Sequence, residues 1–197
     1  RLMKSTFSFP LYPDIDEITE KTKPSPETLY GKLRLKQEKI LQSYTSNYTI
    51  LRLSNIFGYG HFFGIGNTGA IEKFIDCVFS HKNIMVYGNG KQLVDYLYKS
   101  ELMKLLKILV QTNPKTIYNV SSGNSKSIID IAKIISKIGQ EKFNQKIETS
   151  VMSNTKLPNS PKMNTNKIMK DCNWSPPSNL ESIILRMMKI NHQKIHT

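Results

Sequence analysis

An α/β fold with a largely parallel sheet is expected for this chain, on three observations. Short β-branched apolar runs alternate with longer stretches of helical period along the whole length. Gly, Pro and Asn clusters punctuate the boundaries between them. No internal repeat and no low-complexity linker interrupts the alternation.

The elements follow in order. Leu2 to Phe9 can form an opening strand, and Pro10 to Pro26, rich in Pro, Asp and Thr, reads as a surface loop. A helix is expected from Glu27 to Ser46, with Leu29, Leu33, Ile40 and Leu41 at helical spacing. Pro26 suits its start and Glu27 the positive end of its dipole. Tyr48 to Leu53 is short, apolar and β-branched, the pattern of a buried strand. Gly69 to Ser80 reads as a helix, and Asn83 to Tyr87 as a strand ending at the Gly88-Asn89-Gly90 turn. A helix at Ser100–Gln111, a strand at Thr116–Val120 and a helix at Ser127–Ile138 come next. Lys146 to Val151 is a further strand candidate, and short helices are expected at Asn166–Asp171 and Asn179–Ile190.

The composition excludes several function classes. The chain has 197 residues, enough for one domain with a sizeable core. No apolar run reaches bilayer length and the first residues do not read as a signal peptide, so a soluble, cytoplasmic protein without membrane contact is expected. Cys77 and Cys172 stand far apart and read as reduced thiols, and the four His form no metal signature. The formal net charge is +13, but the lysines are scattered and accompany abundant Asn and Ile. That pattern is a compositional bias, and no nucleic-acid partner is expected.

Gly64-Ile65-Gly66-Asn67-Thr68-Gly69 matches the spacing of a dinucleotide fingerprint. The fingerprint works only when a strand aims the turn, and helix N-terminus, at a pyrophosphate. Here Tyr59 to Phe63 precedes it as a loop, and Asn89 stands where an acidic ribose ligand belongs. A glycine-rich loop beside a substrate is the better reading.

Tyr30 and Arg34 lie one turn apart on the long helix and share a face. A fixed cation beside a tyrosine favours phenolate, which suits proton exchange with a substrate hydroxyl. The stretch Tyr30-Gly31-Lys32-Leu33-Arg34-Leu35-Lys36-Gln37-Glu38 resembles the YxxxK helix of the extended short-chain dehydrogenase/reductases, the NAD-dependent epimerase/dehydratase kind. Leu51 to Gly60 is similar to that family's LRxxNxYGPG segment, Val86 to Tyr98 to its YGDGxQxRDFIHV segment, and Tyr118 to Gly123 to its YNVGSG strand end. Cys172 to Pro176, with Asn179-Leu180-Glu181, resembles LGWxP followed by SLEE. Five matches in family order span nearly the whole chain.

The resemblance implies a partial Rossmann-like parallel sheet, the C-terminal strands only, with a small C-terminal α/β substrate-binding region. On that reading residues 1–197 form a single incomplete domain. About 1–60 and 84–123 are its Rossmann-side elements; about 61–83 and 124–197 bind substrate. It implies Ser8 as the hydrogen-bond partner of the reacting hydroxyl, Tyr30 as the general acid/base and position 34 as the nicotinamide-ribose contact, with Asn55 against a nucleotide sugar. NAD or NADP is the implied cofactor of the full-length parent. A homodimer through the Tyr30 helix, with Ser100 to Gln111 as neighbour, is also implied. The chain departs from the pattern in three places. Arg34 replaces Lys, Val94 replaces an Arg that holds substrate phosphate, and Asn154 to Pro158 offers only Lys156 for a late arginine. The glycine-rich strand–turn–helix unit that grips the pyrophosphate is absent from these residues. The stretch by itself is therefore expected to be inactive; the alternative is a catalytically degraded relative that binds a nucleotide or a protein.

Overall fold

The computed structural model describes residues 2–7, 17–58, 69–157, 159–160, 162–176 and 179–195. In chain order the elements are β1 (Leu2–Phe7), β2 (Glu17–Ile18), α1 (Leu29–Tyr44), β3 (Tyr48–Leu53), β4 (Asn55–Phe57), α2 (Ala70–Phe79), β5 (Ile84–Val86) and β6 (Leu93–Tyr98). There follow α3 (Lys99–Thr112), β7 (Ile117–Val120), β8 (Ser125–Ser127), α4 (Ile128–Phe143), β9 (Thr149–Val151), β10 (Lys162–Met163), α5 (Asn166–Cys172) and α6 (Leu180–Ile195). The expected α/β fold with parallel strand pairing is what forms, its strands gathered in small sheets.

Two compact units divide the chain: Arg1–Ile56 with Asp95–Ser125 and Asn159–Pro177, and Phe57–Val94 with Lys126–Pro158 and Ser178–Thr197. The first contains a parallel sheet in the order β1-β3-β7, with Leu2 opposite Tyr48 and Ile50 opposite Ile117. β10 pairs parallel with β2, β5 with β9, and β4, β6 and β8 form a further three-stranded sheet.

β3 is buried on both faces, and its alternation assigns a different layer to each. Leu51 and Leu53 point into an apolar cluster with Leu97, Leu105, Leu109, Tyr118, Val120, Ile168, Cys172 and Trp174, supplied by β6, α3, β7 and α5 with the residues after it. Burial of each such leucine contributes about 1.5–3 kcal/mol. Arg52 points the other way, to α1, where it meets Glu38. That second layer is part polar: Asn119, opposite Arg52 in the sheet, donates its side chain to the Ile18 carbonyl and its N–H to Glu20. Ile18, Met163 and Leu35 form a small apolar patch within it. α1 and α3 thus lie against opposite faces of β3, so the expected pairing of these two helices in one surface is not what this unit presents.

Tyr118 shows how β7 and α5 are fastened. Its hydroxyl donates to Asp171 at 2.9 Å, and the Lys167 ammonium sits over its ring, 4.9 Å from the centre. Burial first, then the hydrogen bond and charge of Asp171, push the phenol well above its usual range. A raised folded value means that this contribution is complete below the unfolded value of about 10 and is lost as pH rises above it. Tyr118→Phe is expected to cost about 1–2 kcal/mol at neutral pH. Its urea midpoint should then fall less steeply than the parent's as the pH is taken above about 10. Parallel curves for the two proteins would remove Tyr118 from the alkaline transition.

In the second unit α2, α4 and α6 bury Ile71, Phe74, Ile75 and Val78, Ile128, Ile131 and Ile135, and Ile184, Met187 and Met188. α4 runs beyond its expected end at Ile138 to Phe143. Gly139 does not stop it: a Cβ there would stand 2.8 Å from a Val78 methyl, so the glycine permits close approach of α2. The helix ends at Asn144 instead, in the left-handed region at φ 55°. β2 and β10, two residues each, fall where the sequence shows only loop, because they are held by each other and not by a local period.

Candidate active site

α1 begins at a threonine and not at the proline-glutamate pair that the sequence favours. The Thr28 hydroxyl accepts the Gly31 N–H at 3.1 Å, a cap that satisfies one of the free N–H groups of the first turn. Tyr30 is therefore the second residue of the helix, where α1 takes up the chain after β1. Because α1 returns the chain between two parallel strands, its first turn lies at the carboxyl edge of the sheet. Leu53 and Val120 end their strands at that same edge, and Ser54 follows by donating its N–H to the Val120 carbonyl at 2.9 Å. Ligands of open parallel sheets bind at this edge.

Tyr30 is 42% exposed and the Arg34 guanidinium carbon lies 4.7 Å from its ring centre. Arg34 also donates to the Gln37 side-chain oxygen at 3.3 Å. The two residues expected to act together are in contact, by a cation over a ring face. Asn55 opens β4, and its amide donates to the Asp95 carbonyl oxygen at 3.4 Å. The structure shows no contact between Asn55 and the Tyr30–Arg34 pair. Ser8 lies outside the described residues, as do Gly64 to Thr68.

Two further groups shape this region and were not singled out from the sequence, and a third lies in the second unit. Glu38 and Arg52 form a buried ion pair at 2.8 Å. The Asp95 carboxylate accepts from the Ser122 N–H at 2.8 Å, the Ser122 hydroxyl at 2.9 Å and the Asn124 N–H at 3.1 Å, which holds the loop after β7. An arginine in the otherwise apolar run Tyr48 to Leu53 was the available signal for the first. In the second unit, Glu72 accepts the Gly58 N–H at 2.6 Å from the first turn of α2. A Cβ on Gly69 would stand 2.6 Å from the other Glu72 oxygen. The start of α2 is thus filled by its own carboxylate, which would repel a pyrophosphate. The glycine at the end of the fingerprint-like run serves that approach.

Among the enclosed polar atoms of the first unit without a hydrogen-bond partner are Arg34 Nε, Ser54 Oγ and Asn119 Oδ1. Such atoms cost free energy unless a ligand or water meets them. Two departures from the family pattern are also placed: Val94 lies half-buried on β6 and Lys156 is exposed. Among the described residues no His/Cys/Asp/Glu group could hold a metal ion, and no helix is long and apolar enough to cross a membrane.

Residues 5–121 match the family model described as NAD dependent epimerase/dehydratase family. A dTDP-L-rhamnose 4-epimerase of Burkholderia thailandensis is 26% identical over 141 residues, 68% of this chain and 39% of the relative. Among solved structures, the UDP-glucose 4-epimerase of Thermotoga maritima with UDP-glucose superposes with a TM-score of 0.81 at 15% identity, over 98% of this chain and 63% of that one. The dTDP-glucose 4,6-dehydratase of Bacillus anthracis in complex with NAD gives 0.80 at 14% identity, over 98% and 62%. The chain therefore spans less than two thirds of the length of each.

Proposed function

Because the chain belongs to the NAD-dependent epimerase/dehydratase family, we propose that the full-length protein moves a hydride and a proton at a hydroxyl of a nucleotide sugar, and so epimerises, dehydrates or reduces it. The observation that carries this reading is the Tyr30–Arg34 contact at the carboxyl edge of the parallel sheet. Tyr30 takes the proton of the sugar hydroxyl and returns one. The Arg34 charge offsets the negative charge that the Tyr30 oxygen carries before it takes the proton and regains when it returns one. Ser8 donates a hydrogen bond to the reacting oxygen, and Asn55 contacts the nucleotide sugar.

Tyr30 and Arg34, whose Nε lacks a partner, would hold NAD or NADP at its nicotinamide ribose, and their chemistry fits that role. A bound nicotinamide supplies the hydride acceptor and donor. The pyrophosphate grip lies outside the sequence motifs of these residues. The 197-residue chain alone is accordingly expected to show no micromolar NAD affinity by calorimetry and no turnover, whereas the full-length protein binds and turns over a dTDP- or UDP-sugar. Absence of turnover across such a panel, with the cofactor bound, would sink the enzymatic reading.

The second reading, a degraded relative that binds a nucleotide or protein, is favoured by Arg34 itself. Its guanidinium lies on the Tyr30 ring and donates to Gln37, where a lysine would present a compact ammonium. Arg34→Lys decides between them. In the full-length protein it raises kcat by about tenfold if the site is impaired but intact, since a tenfold change corresponds to the ~1.4 kcal/mol of one misplaced charge-assisted contact. No gain favours the degraded relative.

We also infer a homodimer through α1. Leu29, Leu33, Ile40 and Tyr44 are exposed along one side of this helix, a stripe that a second copy would cover. Leu33→Lys is expected to weaken self-association by about tenfold or more in sedimentation analysis, leaving the helical content unchanged. Equal sedimentation of parent and variant would exclude this surface.

A further inference from the structure

We propose that the buried Glu38–Arg52 ion pair sets the rotation of α1 on the sheet, so that both are positioning residues for Tyr30 and Arg34. The consequence for catalysis rests on the reading given above; the geometry does not.

The starting point is an inverted helix. Among the described residues of α1, Gly31 and Glu38 are the buried ones, while Leu29, Leu33, Ile40 and Tyr44 face away from the sheet. Glycine brings the helix close but offers no side chain to hold an angle. Leu35 packs against Ile18 and Met163 and is partly buried. At 100° per residue the exposed apolar stripe lies about 160° around the helix from Gly31 and Glu38. In a single copy, a helix with that pattern gains apolar burial if it rolls so as to turn the stripe inward. Something must oppose the roll, and the charge pair is in the right place to do so.

Its geometry is directional. Arg52 donates through Nη2 to one Glu38 oxygen at 2.8 Å and through Nε to the other at 3.3 Å. Two bonds from a planar fork to a planar carboxylate fix orientation as well as distance. Both side chains are at most 4% exposed, so any rotation that separates them strands two charges out of water. Arg52 is itself fixed, because β3 is the middle strand of its sheet with β1 and β7 on either side.

The register passes directly to the site. Tyr30, Arg34 and Glu38 follow one another at four-residue steps, each only about 40° further round the helix. An angle fixed at Glu38 is therefore an angle fixed at Arg34, one turn away, and at Tyr30, two turns away. The surrounding layer is consistent with that role. Asn119 and Ser121 on the same side bond to the Ile18 and Met163 carbonyls, so this face of the sheet is aligned by directional contacts and the opposite face by apolar packing.

The test separates positioning from mere stabilisation. The full-length protein carrying Glu38→Met together with Arg52→Met has the pair replaced by apolar groups, an exchange that leaves many buried pairs as stable as before. The readout is the Arg34 Nε–H resonance in a spectrum of arginine-labelled protein, shifted upfield by the Tyr30 ring beneath it. In the parent it is expected to be single and shifted. In the double variant, melting within a few degrees of the parent, it is expected to lose about half or more of that shift and to broaden, since the two fork bonds no longer hold the angle. A resonance unchanged in a folded double variant overturns the proposal. Should the double variant not fold, Glu38→Gln, which keeps the shape and one acceptor, carries the test: two Arg34 resonances support the register, and one unshifted from the parent overturns it. A parent protein without any turnover would refute the catalytic reading and leave this outcome standing.

Discussion

Tyr30→Phe in the full-length protein is expected to lower kcat by roughly 10²–10⁴-fold, the range for loss of a positioned general acid/base. The substitution removes one oxygen from a ring that is 42% exposed and already in contact with the Arg34 guanidinium. The ring face remains, so the cation stays over it and the helix keeps its place. The affinity for the nucleotide sugar, measured by calorimetry, should therefore change little. That split, kcat lost and binding kept, is the signature of a group that acts in the transition state. A kcat within about threefold of the parent would mean that Tyr30 does not move the proton.

A large loss of stability from a single polar side chain is expected at Asp95. The carboxylate is 3% exposed and accepts three hydrogen bonds, two of them from the backbone N–H groups of Ser122 and Asn124. Asp95→Ala leaves those donors without their acceptor, at about 1–3 kcal/mol for each that stays dry, so a total of about 3 kcal/mol is expected. The drop in urea midpoint at constant slope measures it. Asp95→Asn, which keeps one acceptor oxygen, should lose about half as much. Because Asn55 bonds to the Asp95 backbone carbonyl and not to its side chain, the alanine variant releases the loop after β7 while leaving the Asn55 contact possible. An alanine variant within about 0.5 kcal/mol of the parent would show that water replaces the carboxylate at no cost.

Much of the site was legible in the sequence as motif and little of it as geometry. Tyr30 and Arg34 pair on spacing alone, because i and i+4 are neighbours on every α-helix. Asn55 could be placed just beyond a strand because Tyr48 to Leu53 is so plainly a buried one. Asp95 carried no such sign: its partners are 27 and 29 residues away, in a loop whose composition predicts only a turn. The departures at Arg34 and Val94 were equally readable, since they are matters of residue identity. What a guanidinium does on a tyrosine ring was not.

The sequence alone determined the order and type of nearly all the longer elements and the family to which they belong. Those are properties of short windows: an apolar period, a β-branched run, a glycine after a strand, a string of motifs in a set order. The tertiary structure decided the rest. It took α4 through Gly139 because Val78 of a separate helix comes close there, and it made strands of β2 and β10 because each is the other's partner. It turned α1 with its leucines outward and Glu38 inward, against the preference of its own apolar period. The physical reason is the same in each case. A local signal is worth a few tenths of a kcal/mol per residue, whereas parting a buried charge from its partner costs several, and that partner lies far along the chain.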